Sequence, residues 1–283
     1  MFNREEDRSQ PDGISWARAA ANVGRLSVVR RLMTRSRRIS TILLIAGSVV
    51  LLAGPLTPRK GDAAVAGSLD DLVGTKNGGK ITGGVFLAGD YHPPEPLKVV
   101  KSRNFCGDTV PNETFLVGTN GGVRNAVVTL HPVDKPIRTE PGRVVLDNRA
   151  CAFVPHVQVA TLGSELILKN SDPILHTVHA RLGKTTLFNV GLPQWRRVSK
   201  MLTKPGAVRI DCDVLHTWMS AAIVVVATPY YFVTGENGFF TFDGIPAGSY
   251  DIEVWHERLG IKRARISVSD RAPLSIEMFI STP

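Results

Sequence analysis

The segment RIDCDVLHTWMSAAIVVV carries three kinds of metal donor in one short loop: Cys212, then three residues to His216, then two to Met219. A thiolate, an imidazole and a thioether together suit an ion that cycles between a soft reduced form and a borderline oxidised form, and that ion is copper. A second imidazole has to come from elsewhere. The segment LILKNSDPILHTVHA supplies it, placing His176 in a turn after a strand that ends at Asn170. Cys212, His216 and Met219 are thus candidate copper ligands, with His176 as a candidate second imidazole. Zinc is the competing metal, but Met is a poor zinc ligand and four-coordinate zinc sites draw on further Cys or His.

The chain holds three cysteines. In an oxidising compartment thiols pair and an odd one needs an explanation. Cys106 and Cys151 flank a β-rich segment and are the natural disulfide pair, which leaves Cys212 free to serve as a thiolate. Among the other histidines, His179 lies three residues beyond His176, on the opposite face of an extended strand, and is expected to pack or to meet solvent. His156, which follows Pro155 at the start of a strand, is the reserve ligand. His92, His131 and His256 read as loop or strand-end residues. The sequence carries no hydrolytic triad, phosphate loop or paired-carboxylate motif. With Met219 in the fourth position no place is left for a substrate, so an electron carrier is expected rather than an enzyme.

These segments resemble the ligand loops of the small blue-copper proteins, the cupredoxins of the amicyanin and plastocyanin kind. That family carries Asn-x4-Pro-His-Asn-Val upstream and a Cys-x2-His loop ending in Met downstream. The resemblance implies His176 as the first ligand, with Cys212, His216 and Met219 as the others, on a Greek-key β-sandwich. Leu175 stands here for the Pro. Thr177 stands for the Asn that ties the two loops together, so its hydroxyl is the group left for that task. The Cys212-to-His216 spacing is one residue longer than in amicyanin. It matches the second half of the binuclear loop of cytochrome oxidase subunit II, Cys-x3-Cys-x3-His-x2-Met. Val208 occupies the place of that loop's first Cys, which predicts one ion rather than two. The resemblance further implies electron transfer, with the His216 edge and Trp218 facing an apolar patch where a redox protein such as a c-type cytochrome or a dehydrogenase docks. A non-redox copper-binding or surface binding module is the alternative.

The elements that must position these residues read as β almost throughout. From Lys80 onward, short Val/Ile/Leu/Phe-rich runs such as ITGGVFLAG, NAVVTLHPV, HVQVATLGSELILKN and SYDIEVWHE recur between Gly, Pro, Asn and Asp turns. Such spacing predicts an all-β protein of antiparallel sandwiches. The segment TGENGFFTFDGIPAGSYDIEVWHE resembles the end of carboxypeptidase-regulatory or transthyretin-like domains, and GGVRNAVVTL at 121–130 resembles their opening. The expected organisation is a signal or anchor over 1–66 and a linker with β region over 67–139. A cupredoxin domain follows over 140–228, and a carboxypeptidase-regulatory-like β domain over 229–283. The 67–139 region is expected to join the last domain, so that strand 125–130 shares a sheet with strand 249–255. The layout as a whole resembles the methylamine-utilisation-protein-like group.

Thr41 to Leu56 is an uncharged apolar run that follows RSRRIS and precedes an Ala-x-Ala pattern at Ala64 to Ala66, the order of an export signal. An uncleaved membrane anchor through 41–56 fits the same residues. Either reading places the folded part in the periplasm or another extracytoplasmic space. The net charge of +9 is uneven. Residues 1–66 hold eleven Arg or Lys against five acids, two thirds of the excess, so the folded part is not expected to bind nucleic acid.

Overall fold

The computed structural model describes residues 78–282. The export or anchor segment expected over 1–66 lies outside the described residues. Among the described residues no helix is long and apolar enough to cross a membrane.

The chain begins with β1 (Gly79–Leu87), whose alternation puts Ile81 and Val85 inward and Thr82 and Phe86 outward. A short strap follows, made of β2 (Leu97–Lys98), the single-turn helix α1 (Arg103–Cys106) and β3 (Thr109–Val110). β4 (Val127–Pro132) comes next, and then nine strands that build one sandwich. These are β5 (Arg143–Arg149), β6 (Ala152–Val154), β7 (Val157–Thr161), β8 (Glu165–Asn170), β9 (His176–Leu182), β10 (Thr185–Leu192), β11 (Arg197–Met201), β12 (Gly206–Asp211) and β13 (Ser220–Val226). One sheet has the order β11-β8-β5-β6 and the facing sheet β10-β9-β12-β13-β7. Each sheet contains one parallel pair, β5 with β8 and β7 with β13. Leu146, Phe153, Leu166, Leu168, Val178, Ile210 and Ile223 fill the space between them. This is the two-sheet β-sandwich that the period-two runs predict, with the Greek-key arrangement that the resemblance implies.

The last five strands are β14 (Tyr231–Val233), β15 (Phe239–Ile245), β16 (Gly248–His256), β17 (Gly260–Val268) and β18 (Leu274–Ile280). With β1 and β4 they form a second sandwich, its sheets ordered β15-β1-β18 and β14-β4-β16-β17. β1 runs antiparallel to β15 and parallel to β18. β4 lies antiparallel to β16, with Leu130 opposite Ile252. The apolar run of β13 is explained by its two faces. Ile223 and Val225 point into the first core, while Ala222, Val224 and Val226 pack with Val127, Val157 and Val159 between the sandwiches.

The strap behaves differently from the expectation for residues 67–139. Val99 and Val110 are buried in the core of the first sandwich, not the second. Leu97 pairs with Val110, the Val99 amide donates to the Asp108 carbonyl, and Cys106 is disulfide-bonded to Cys151 at the turn between β5 and β6. The strap thus lies across the site-bearing sandwich.

Candidate metal centre

Strand register brings the predicted ligands to one end of the first sandwich. β12 and β13 pair with Asp211 opposite Ser220, so Cys212 and Met219 leave and re-enter the same end of one hairpin. β9 lies antiparallel to β12, with His179 opposite Asp211, and its first residue, His176, emerges at that end too. The 213–218 loop carries His216 back over the opening, and a hydrogen bond from the Met219 amide to the His216 carbonyl (2.9 Å) closes it.

Three donor atoms converge. Nδ1 of His176 lies 4.0 Å from Sγ of Cys212, Nδ1 of His216 lies 3.8 Å from the same sulfur, and the two nitrogens are 3.1 Å apart. All three side chains are buried, as is Met219. Among the described residues this is the one group of three or more His, Cys, Asp or Glu donors close enough to share an ion. First-row ions bond nitrogen at about 2.0 Å and thiolate sulfur at about 2.3 Å, which separates neighbouring donors by about 3 to 4 Å. The triangle has that size, and its donor set of two imidazoles and a thiol beside a thioether fits copper.

Each donor is held from behind. Nε2 of His176 lies 3.0 Å from the Asp172 carboxylate, which also accepts the amides of Ala150 (2.7 Å) and Cys151 (2.9 Å). Asn170 shapes this turn: its Oδ1 accepts the Asp172 amide, and its Nδ2 donates to the carbonyls of Ile174 and Leu192. Thr177 ties the two ligand loops together through its hydroxyl, as expected. Its amide donates to Cys212 Sγ at 3.4 Å, and its hydroxyl oxygen accepts the Asp213 amide at 2.6 Å, tying one ligand loop to the other. Nε2 of His216 lies 3.3 Å from the Ser102 hydroxyl of the strap. The Trp218 ring packs on His216 with centroids 5.0 Å apart, and its Nε1 donates to the Cys151 carbonyl.

The electrostatics favour the metal-binding forms of Cys212 and His216. Burial pushes the Cys212 thiol up, but its interaction with His176 and the hydrogen bond from the Thr177 amide outweigh it and bring it below the usual thiol value. Burial, together with the charges of His176 and Lys101, depresses His216 to about 4, so its imidazole is neutral at ordinary pH. His176 is the opposite case. Burial lowers it, yet Asp172 and Cys212 raise it further than burial lowers it. Asp172 is held below its ordinary value, since the bonds from His176 and the two amides exceed the cost of burial.

The remaining histidines divide cleanly. His179 faces away from the cluster and bonds to Asp213 and Thr186. His156 is no ligand: its Nδ1 meets the Ser220 carbonyl and its Nε2 meets Glu257, across the boundary between the sandwiches. His131 bonds to Thr129, whereas His256, expected as an ordinary strand-end residue, is buried with its Nε2 unpartnered. One expectation needs correction. The ring edge of His216 does not open on the surface; the residue is 2% exposed beneath Ser102. Leu175 and Leu215 on the ligand loops and Val100 and Phe105 on the strap are the exposed apolar residues instead. The sequence reading missed Asp172 and Ser102. Asp172 could have been found as a carboxylate four residues before His176, but Ser102 is 114 residues from His216 and left no local signal.

No family model matches the chain, and no curated protein matches it in sequence. Among solved structures it is similar to a purple cupredoxin of Nitrosopumilus maritimus, with 17% identity over 30% of this chain and 99% of that one, at a TM-score of 0.27. It is similar to a reduced amicyanin variant, with 18% identity over 35% of this chain and 99% of that one, at a TM-score of 0.28. A copper-containing nitrite reductase of Thermus scotoductus SA-01 is also similar, with 22% identity over 34% of this chain and 25% of that one, at a TM-score of 0.28.

Proposed function

We propose that this chain is an exported mononuclear type 1 copper protein that passes single electrons to and from a redox partner. The observation that carries the reading is the buried free thiol of Cys212, with Nδ1 of two buried imidazoles at 3.8 and 4.0 Å. A bound ion would supply a Cu(I)/Cu(II) couple held by His176, Cys212 and His216, with Met219 as weak axial donor. The protein's own part is to keep the donors nearly fixed, so that gaining or losing an electron demands little rearrangement. Thr177 holds the thiolate side, Asp172 the first imidazole, and the strap excludes water from the second. Residues 140–228 are the copper-binding unit in this reading, and 229–283, completed by strands from 80–131, its companion.

The disulfide between Cys106 and Cys151 supports an oxidising, extracytoplasmic location. The partner is a c-type cytochrome or a dehydrogenase that docks over Leu175, Leu215, Val100 and Phe105, a weak encounter of small area.

Adding one equivalent of Cu(II) to the metal-free protein tests the assignment. An intense visible thiolate-to-copper band that saturates at one ion per chain is the expected result. Cys212→Ser removes the band entirely while the protein stays folded. Colour that survives Cys212→Ser sinks the site, and a colourless wild type that takes up only Cu(I) points to copper storage instead.

A further inference from the structure

Each imidazole of the cluster has an outer nitrogen, and the two outer nitrogens are treated unequally. On His176 it meets a carboxylate that is itself 2% exposed. On His216 it meets the hydroxyl of Ser102. A buried carboxylate is expensive unless every oxygen is engaged, and Asp172 is fully engaged by three donors: His176 Nε2 and the amides of Ala150 and Cys151. Those two amides aim at one group because Ala150 and Cys151 both sit in the left-handed region, with φ 53° and 58°. Non-glycine residues adopt that conformation reluctantly, but the two-residue hairpin turn between β5 and β6 requires it at both positions, and the Cys106–Cys151 bridge lies at the same turn. The bridge also fixes the strap that carries Ser102, and the Cys151 carbonyl accepts from Trp218. The backing of both histidines thus meets at Cys151.

We propose that Asp172 is a positioning residue of the copper site, which fixes His176 with its proton on Nε2 and its lone pair on Nδ1 and biases the site toward Cu(II). The inference rests on the copper reading given above. An anionic acceptor on the outer N–H makes an imidazole a stronger donor, and a stronger donor favours the more highly charged ion. Ser102, a neutral partner at longer distance, does the same for His216 only weakly. The site is therefore asymmetric, with its stiff and basic side on His176.

Asp172→Asn in the full chain is the direct test, because it keeps the shape and removes the charge. Loss of such an outer partner typically costs about 10- to 100-fold in metal affinity. If that loss falls on Cu(II), the reduction potential rises by about 59 mV for each tenfold change in the Cu(II)/Cu(I) affinity ratio of a one-electron couple. Ser102→Ala is expected to shift it by less than one such step. An Asp172→Asn protein that loads copper with unchanged potential and unchanged visible spectrum overturns the proposal. A second readout does not depend on the variant folding or on copper binding: ring-nitrogen NMR of metal-free wild type at alkaline pH. It is expected to show His176 protonated on Nε2 alone, and a proton on Nδ1 instead overturns the positioning role. Failure of the copper reading looks different, since wild type would then take up no copper and show no visible band while the NMR result still decides the role of Asp172.

Discussion

The sandwich of β5 to β13 buries Asn148, Asn170, Asp172, His176 and His216, whereas the sandwich of β1, β4 and β14 to β18 buries three threonines and His256 in an otherwise apolar interior. Both are two-layered, yet the first has given a clustered part of its core to polar and ionisable groups, whereas the second buries only those four. In the first, Asn170, Asp172, His176 and His216 are fastened to one another or to backbone, which is the condition for burying them at all. In the second, Ile81, Leu130, Phe240, Ile252 and Met278 do little but exclude water. Chemistry and bulk stability are thereby lodged in different halves of one chain, and substitutions should separate them.

The largest expected separation comes from Leu130→Ala. Leu130 is fully buried, faces Ile252 across the β4–β16 pair and belongs to the core of the second sandwich. Leaving a cavity there costs about 2–5 kcal/mol, measured as a lower denaturant midpoint. The folded fraction is expected to keep the copper band of wild type, the reverse of Cys212→Ser. A Leu130→Ala protein that stays folded but loses its colour would show that the two halves are one cooperative site and break the comparison.

The halves also differ in how far their sequences announce them. The Cys212-x3-His216-x2-Met219 loop is legible because three donors lie on one short connection, and the period-two runs announce the strands. His176 follows from resemblance, since only the fold brings it beside Cys212. The parallel pairing of β1 with β18 joins residues nearly 200 positions apart, and nothing in either strand names its neighbour. The strap was misplaced for a related reason. Val99 and Val110 have no pattern that says which core they enter, although the expected Cys106–Cys151 pair, with Cys151 inside 140–228, already tied the strap to the first sandwich. Asp172 was overlooked because an acid before a Pro reads as turn chemistry, and its role appears only once Ala150 and Cys151 are folded over it.

A smaller effect probes the seam between the sandwiches, where His156 of one meets Glu257 of the other. Burial lowers the His156 pKa, but the bond to Glu257 and the charges of Glu257 and Glu113 outweigh it, so the folded value lies above 6.5. The sign follows from linkage. A raised folded pKa means the native state binds the proton more tightly, so the stabilisation is complete below about pH 6.5 and disappears as the pH rises through the raised value. Glu257→Gln is expected to lower stability by about 1.5–3 kcal/mol on the acid side, the worth of a hydrogen bond to a charged group. The gap from wild type should close toward alkaline pH. His256 and, in the metal-free protein, His216 act in the opposite sense, since both are depressed to about 4 and cost stability as the pH falls below 6.5. The His216 contribution is common to wild type and variant and cancels in the difference, whereas His256 loses the raising charge of Glu257 in the variant and so widens the gap on the acid side. Denaturant midpoints across the pH range give the answer, and a gap that does not change with pH would remove the charged pair as the link.

The smallest effect on stability belongs to Leu215, which sharpens the contrast at the surface. It precedes His216, is 61% exposed, and sits at φ 67°. A leucine in the left-handed region loses about 1–2 kcal/mol of backbone preference, and its exposed side chain wins little back by packing. A residue that stabilises neither sandwich but directly precedes the candidate ligand is best explained by contact with another molecule. Leu215→Asn keeps the backbone conformation, since Asn tolerates it. It is therefore expected to leave stability unchanged or raise it by up to about 1 kcal/mol. The same change removes an apolar contact of about 1.5 kcal/mol from any docked encounter, which corresponds to roughly a tenfold slower exchange. Electron self-exchange between oxidised and reduced copies, read from NMR line broadening, supplies the measurement without a known partner. A Leu215→Asn protein that is clearly less stable, with an unaltered exchange rate, would return Leu215 to the fold and take the docking role away from it.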